Sequence, residues 1–202
     1  MHARDTKSVI LDKAVRLFNQ RGSQSVSTNR IAADMSISVG NLYYHFNNKE
    51  DIIRSLYDRM TVEMDDLWSG FVPPTISRLE EMLERLIQQM WEYRFFQREQ
   101  LTLMKKDPLL LKKNHEVRKR KRKEIETFMR GLANANILRQ PLDEETITAL
   151  ARAIEIISEN WFAFLELEGK SASRKNVRAG TNLILQIMRP YLSPGTSTEI
   201  SE

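Results

Sequence analysis

The chain has 202 residues, 41% apolar and 29% charged, with 31 Lys and Arg against 27 Asp and Glu and a net charge of +4. It is long enough to bury a core without covalent staples, and no stretch approaches the ~18 consecutive apolar residues of a membrane helix. With no cysteine in the sequence, disulfides, thiolate zinc sites and a cysteine nucleophile are excluded.

His2, His45 and His115 are far apart in sequence, so neither a metal nor another cofactor is expected. Charges at Arg4, Asp5, Lys7, Asp12 and Lys13 leave no apolar signal-peptide segment, and a cytoplasmic protein is expected. The mild basic excess permits nucleic-acid binding without demanding it.

The dominant period is helical. Ile10, Ala14, Leu17 and Phe18 share one helix face, and Gly22 suits the position just past its end. Ser27 or Thr28 caps a short second helix containing Ile31, Ala32 and Met35. Ser36–Ser38 reads as a turn, and Ser38 caps a third short helix through Leu42, Tyr43 and Phe46. Asn48 caps a long fourth helix with Glu50 and Asp51 in its first turn, where the helix dipole favours anions. Its stripe is Ile52, Ile53, Leu56, Tyr57, Met60 and Met64.

Pro73-Pro74 marks the clearest boundary. A stripe from Leu79 through Met82, Leu83, Leu86, Ile87 and Met90 follows, continued by Phe95, Phe96, Leu101 and Met104. Asp107-Pro108 reads as an N-cap with Pro at the first helical position. That helix runs to about Ala133. Asp143 caps the next, with Ile147, Leu150, Ala151, Ile154, Ile157, Trp161, Phe164 and Leu165 on one face. The last helix carries Val177, Gly180, Thr181, Ile184, Ile187, Met188 and Tyr191. No strand, repeat or low-complexity tract is evident. The expected architecture is all-α, with a head over residues 1–47, a body over 48–192 and a disordered tail over 193–202.

The second and third helices, joined by a three-residue turn, have the helix-turn-helix layout, in which the later helix enters the DNA major groove. Gly40 lets that helix approach a phosphate or base closely. Asn41 can read adenine bidentately. Tyr43, Tyr44 and His45 can donate to phosphates, although Tyr44 also suits a core edge. Lys49 can neutralise a phosphate. Leu42 and Phe46 are expected in the core with Leu17 and Phe18.

Ser27-Thr28, Ile31-Ala32, the run Ser38-Val39-Gly40-Asn41-Leu42-Tyr43-Tyr44-His45-Phe46, and Asn48-Lys49-Glu50 together resemble the signature of the TetR family of bacterial transcriptional regulators. The resemblance implies a homodimeric all-helical protein whose body holds a small ligand that releases double-stranded operator DNA. It implies that Thr28 and Asn29 touch backbone or base, that Val39, Gly40 and Asn41 read bases, and that Tyr43, His45 and Lys49 meet phosphates. The capping Ser38 and Tyr44 complete the expected DNA-facing set. The chain departs from the family at Ser36, where Gly is common; if positive φ is needed there, Ser is the costlier residue.

In the body, Met90, Trp91, Phe95, Met104, Phe128, Trp161 and Phe164 suit ordinary core packing, and collectively an apolar ligand pocket. Ile157, Val177, Gly180, Ile184, Ile187 and Met188 are the dimer-interface candidates, forming a four-helix bundle across two subunits. Lys112–Lys123 carries eight basic residues, read as a solvated helix end or an extra anion site. It has no apolar face, so a membrane-surface role is not expected. No GxGxxG, P-loop, HExxH or GxSxG pattern occurs, so an enzyme is not expected. The expected function is a repressor released from a palindromic site by a small apolar ligand. The alternative is a DNA-binding interaction protein that responds to a protein partner.

Overall fold

A computed structural model of the chain describes residues 6–69, 75–170 and 173–194. Its helices are α1 (Thr6–Arg21), α2 (Thr28–Asp34), α3 (Val39–His45), α4 (Lys49–Ser69), α5 (Ile76–Glu92), α6 (Arg94–Lys106), α7 (Pro108–Asn134), α8 (Glu144–Leu167) and α9 (Arg174–Met188). A 3-10 turn, Arg189–Tyr191, follows. Among the described residues the one β feature is an isolated bridge between Leu138 and Leu192. The all-α expectation holds. No described helix is long and apolar enough to cross a membrane. The Pro73-Pro74 boundary and residues 195–202 of the expected tail lie outside the described residues.

The helix ends follow their caps. Ser27, Ser38 and Asp143 accept the backbone N–H three residues on, at 3.2, 3.1 and 2.6 Å. Asn48 does the same for Asp51 at 2.8 Å. Each bond satisfies one of the N–H groups that a helix start leaves unpaired. Asp107 Oδ1 accepts from both Leu109 and Leu110, behind Pro108 at the first position of α7. Gly22, at φ +77°, ends α1 by donating to the Phe18 carbonyl.

The chain divides into two compact units. Of the described residues, one contains those up to Glu63 with Glu92–Lys112; the other contains those between Met64 and Trp91 and those from Lys113 onward. The packing division therefore does not fall after residue 47. Three short helices enclose too little apolar area for a stable core, and they share one with α4 and α6. Ile10, Phe18, Ile31, Leu42, Ile52, Leu56 and Phe95 are all fully buried. The Phe95 ring lies 5.2 Å from Phe18 and 4.2 Å from Phe96, which meets Tyr57 at 5.6 Å. Leu101 corrects the expected stripe on α6: it is 76% exposed, and Leu103 is buried instead. Five positions from Phe96 is about 140° around a helix, whereas seven returns to the same face.

The second unit is built on a cluster from α5, α7, α8 and α9, including Leu83, Ile87, Met129, Leu132, Phe162, Ile184 and Met188. Helices α8 and α9 approach closely at Gly180. A Cβ added there would sit 2.8 Å from the Trp161 ring, whose Nε1 donates to the Asn176 carbonyl at 2.7 Å. The basic run on α7 is largely paired within this unit. Arg118 binds Glu155 and Glu159 of α8. Arg120 and Lys121 bind Asp65 of α4, and Lys121 is buried. Burial pushes the Glu159 carboxyl above its ordinary value, against the opposing pull of Arg118. Only part of the run is a solvated helix end: Lys112, Lys119 and Lys123 are exposed.

The turn between α2 and α3 is closed by Ser36 N–H to the Ala33 carbonyl and Ile37 N–H to the Ala32 carbonyl, both 3.1 Å. Ser36 takes φ +55°, a left-handed conformation that costs an L-residue about 1–2 kcal/mol. Ser36→Gly is expected to remove this strain. After the greater unfolded-state entropy of Gly is subtracted, a net gain of up to about 1 kcal/mol remains. Urea denaturation measures it, and an unchanged or lower midpoint at constant slope would refute the strain.

Candidate nucleic-acid interface

The α2–turn–α3 unit has an inside and an outside. Ile31, Ala32, Leu42 and Phe46 point into the core, as expected of Leu42 and Phe46. Asn29, Ser38, Gly40, Asn41, Tyr43 and Tyr44 are exposed, and Thr28, Val39 and His45 are half-buried. Tyr44, at 86% exposure, is not a core edge. Its ring meets the edge of His45 at 5.1 Å. The Thr28 and Tyr43 hydroxyls lie 3.1 Å apart, which ties the start of α2 to the outward face of α3.

Gly40 is informative because the protein does not need it. A Cβ there would meet only Ser38 Oγ, at 3.9 Å. Gly40 is the second residue of α3, and glycine there loses more chain entropy on folding than Ala would. No contact among the described residues requires it, and the exposed backbone there leaves room for close approach from outside the chain.

Lys49 is placed differently from a free phosphate ligand. It is half-buried, and its Nζ donates to the Ser23 carbonyl at 2.7 Å. An ammonium has three donors, so that bond leaves two for a phosphate.

A polar framework orients this surface within the same unit. Lys13 of α1 pairs with Asp34 of α2 at 2.6 Å, and that hydrogen bond holds the Asp34 carboxyl below its ordinary value. Arg54 of α4 bridges Asp51 and Asp107, each at 2.6 Å. Asp51 also accepts from Asn47, and its carboxyl is held low, chiefly by Arg54. Arg59 joins Asp12 of α1 to the Tyr93 hydroxyl. Burial pushes the Tyr93 phenol well above its ordinary value, so it stays neutral and donates to Glu63.

Two supporting residues, Asn19 and Glu99, escape a reading by periodicity. Asn19 is buried; its amide donates to the Glu92 carbonyl at 2.7 Å and accepts from Phe95 N–H at 3.1 Å. Glu99 receives both the N–H and the hydroxyl of buried Ser23. Asn19 lies about 100° around α1 from Phe18, off the Ile10–Phe18 stripe, so periodicity does not mark it as buried. Nothing local marks Glu99.

The expected pocket residues are not gathered within one unit. Phe95 and Met104 belong to the core of the first unit. Met90, Trp91, Phe128 and Trp161 belong to the second, where Trp91 packs on Phe162 at 5.4 Å. Phe164 is half exposed, about 200° around α8 from Phe162. The dimer candidates also need correction. Val177, Gly180, Ile184 and Met188 are buried in the chain's own core, and Ile157 packs against it. Only Ile187 of that set is exposed. The most continuous stripe on each helix is the one the chain uses for itself.

A sequence profile described as "Bacterial regulatory proteins, tetR family" matches residues 10–56. A second, described as "Bacterial transcriptional repressor", matches residues 55–200. A solved TetR-family transcriptional regulator from Marinobacter aquaeolei VT8 is 32% identical, with a TM-score of 0.88, over 97% of this chain and 95% of that one. The ketosteroid transcriptional regulator KstR2 of Mycobacterium tuberculosis, at 16% identity and a TM-score of 0.70 over 95% of this chain and 97% of its own, shows the shared fold. The HTH-type transcriptional regulator AcrR of Shigella flexneri is 30% identical over 90 residues. That match spans 43% of this chain and less than half, 42%, of the relative.

Asn41→Ala removes an exposed side chain that caps nothing. It is expected to lose ~1–3 kcal/mol on the specific DNA site and little on random duplex. Equal losses on both, measured by fluorescence anisotropy, would make Asn41 a positioning contact and not a reader.

Proposed function

Because the chain belongs to the TetR family of bacterial transcriptional regulators and is a DNA-binding regulator, we propose that it acts as a homodimeric repressor. In this reading each subunit lays α3 in a major groove, and a small apolar ligand releases the DNA. The observation that carries the reading is the outward face of Asn29, Gly40, Asn41, Tyr43 and Tyr44, with a glycine that no internal contact requires. Val39, Gly40 and Asn41 read bases. Thr28, Asn29, Ser38, Tyr43, Tyr44, His45 and Lys49 hold the backbone.

A dimer would use a second, outer stripe. On α8, Ile156, Asn160, Phe164 and Leu167 are all exposed at spacings of four, four and three residues. On α9, Ala179, Leu183 and Ile187 are exposed at spacings of four. These are helical repeats on solvent-facing sides. Exposed large apolar side chains such as Ile156, Phe164, Leu167, Leu183 and Ile187 suit an interface, and a two-fold axis across these faces would build a four-helix bundle. Dimerisation presents two copies of α3 to two half-sites, which favours a palindromic operator. For the ligand, the support is the partly buried aromatic set of the second unit: Trp91, Phe128 and Trp161, packed against its core. A ligand binding there would act by favouring dimers whose heads do not fit the operator.

The doubly substituted Ile156→Glu/Leu183→Glu protein tests the assembly. It is expected to keep the wild-type helical circular dichroism, sediment as a monomer, and lose most of its operator affinity. Gly180→Leu, which drives a side chain into Trp161, is expected to lower the melting temperature instead. A double variant that remains dimeric would overturn the outer-stripe interface.

A further inference from the structure

The first unit contains a small cavity that the DNA-binding function does not explain. It has a volume of about 130 Å³, is partly open to solvent, and is lined by Gln24, Lys49, Glu50, Ile53, Leu103, Lys106, Asp107 and Leu110. Its chemistry is divided. Ile53, Leu103 and Leu110 are buried apolar side chains. The other lining residues are polar or charged.

The charges are not equivalent. Asp107 is committed: Oδ2 accepts from Arg54 at 2.6 Å, and Oδ1 accepts the Leu109 and Leu110 N–H groups at the start of α7. Its negative charge is therefore answered by a guanidinium and a helix N-terminus. Glu50 is exposed. Among the described residues the two ammonium groups have only neutral acceptors: Lys49 donates to the Ser23 carbonyl, and Lys106 to the Gln24 amide oxygen. Hydrogen bonds to an anion are roughly twice as strong as those between neutral groups. A ligand carboxylate would thus be a better acceptor for both lysines than the carbonyl and amide oxygens they bond here.

We propose that this cavity binds a small monocarboxylic acid. Its hydrocarbon part lies on Ile53, Leu103 and Leu110, and its carboxylate is held between Lys49 and Lys106. The volume sets the size: a cavity of about 150 Å³ holds benzene, so about 130 Å³ takes a hydrocarbon part of at most about five carbons, with the carboxylate at the exposed rim beside Lys106. This site is separate from the aromatic pocket proposed for the second unit. Its regulatory consequence rests on the DNA-binding reading: an acid that occupies Lys49 removes one phosphate partner per subunit, which lowers the salt slope of DNA binding by about 0.9 for each.

The binding claim is tested without DNA, so it stands or falls independently of the repressor reading. The full-length protein, ¹⁵N-labelled, is titrated with sodium hexanoate and, separately, with hexanamide, and its amide resonances are followed. The expected result is saturable shifts at Ser23, Gln24, Leu109 and Leu110 with hexanoate. Hexanamide, which has the same chain without the charge, is expected to bind at least tenfold more weakly. Lys106→Met, which keeps most of the stem and removes the ammonium, is expected to weaken hexanoate at least tenfold. If that variant fails to fold, the comparison of acid with amide on the wild-type protein still decides. Three results would overturn the site: no saturable shift at those amides, equal affinity for hexanoate and hexanamide, or hexanoate shifts confined to Met64–Trp91 and the residues beyond Lys113.

Discussion

The head depends on the buried side chain of Asn19. Helices α5 and α6 meet at a break around Tyr93, and that break leaves a carbonyl at Glu92 and an N–H at Phe95 near the helix ends. Asn19, in the last turn of α1, satisfies both with one amide. An unsatisfied buried donor or acceptor costs about 1–3 kcal/mol, so α1 and α6 are held in one register by polar as well as apolar contact. The Phe18–Phe95 pair beside it adds the apolar part. Arg98, reaching the Asn19 carbonyl, and Glu99, receiving Ser23, extend the same seam along α6.

With α1 anchored, the recognition surface follows. Lys13 carries the position of α1 to α2 through Asp34. The strained turn at Ser36 then sets the direction of α3, and the Thr28–Tyr43 hydroxyl pair joins the two helices on the outer side. Below them, Arg54 ties the first turn of α4 to the cap of α7. The exposed residues of α2 and α3 thus project from short helices that are supported from behind. This is the arrangement expected of a site that must keep its geometry before its partner arrives.

What the sequence showed plainly was local. Caps at Ser27, Ser38, Asn48, Asp107 and Asp143 act over three residues, and all five occur where the pattern places them. The positive φ at Ser36 was legible from the departure from Gly. Faces set by one strong period, such as Leu79 through Met90 on α5, were equally readable. The failures came where a helix has two apolar sides. On α9 periodicity alone offers Val177, Gly180, Ile184 and Met188 to a partner subunit, yet they fill the chain's own core, while Ile187, with Leu183 and with Ile156 and Phe164 of α8, is exposed. The α7 basic run hid its partners for a different reason. Asp65, Glu155 and Glu159 are distant in sequence, and no periodicity links them to Arg118, Arg120 or Lys121. Asn19 and Glu99 are long-range polar contacts of the same kind.

The central claim is that the outward face of α2 and α3 reads DNA sequence as a symmetric dimer. Selection from a random duplex pool, followed by anisotropy of the selected and shuffled duplexes at 50 and 200 mM salt, tests it most directly. The account predicts an inverted repeat with half-sites one helical turn or more apart, and affinity for it that falls ~10³–10⁵-fold between the two salts, as ~6–10 phosphate contacts require. Recovery of no consensus, with equal and weak binding to selected and shuffled duplexes, would contradict it.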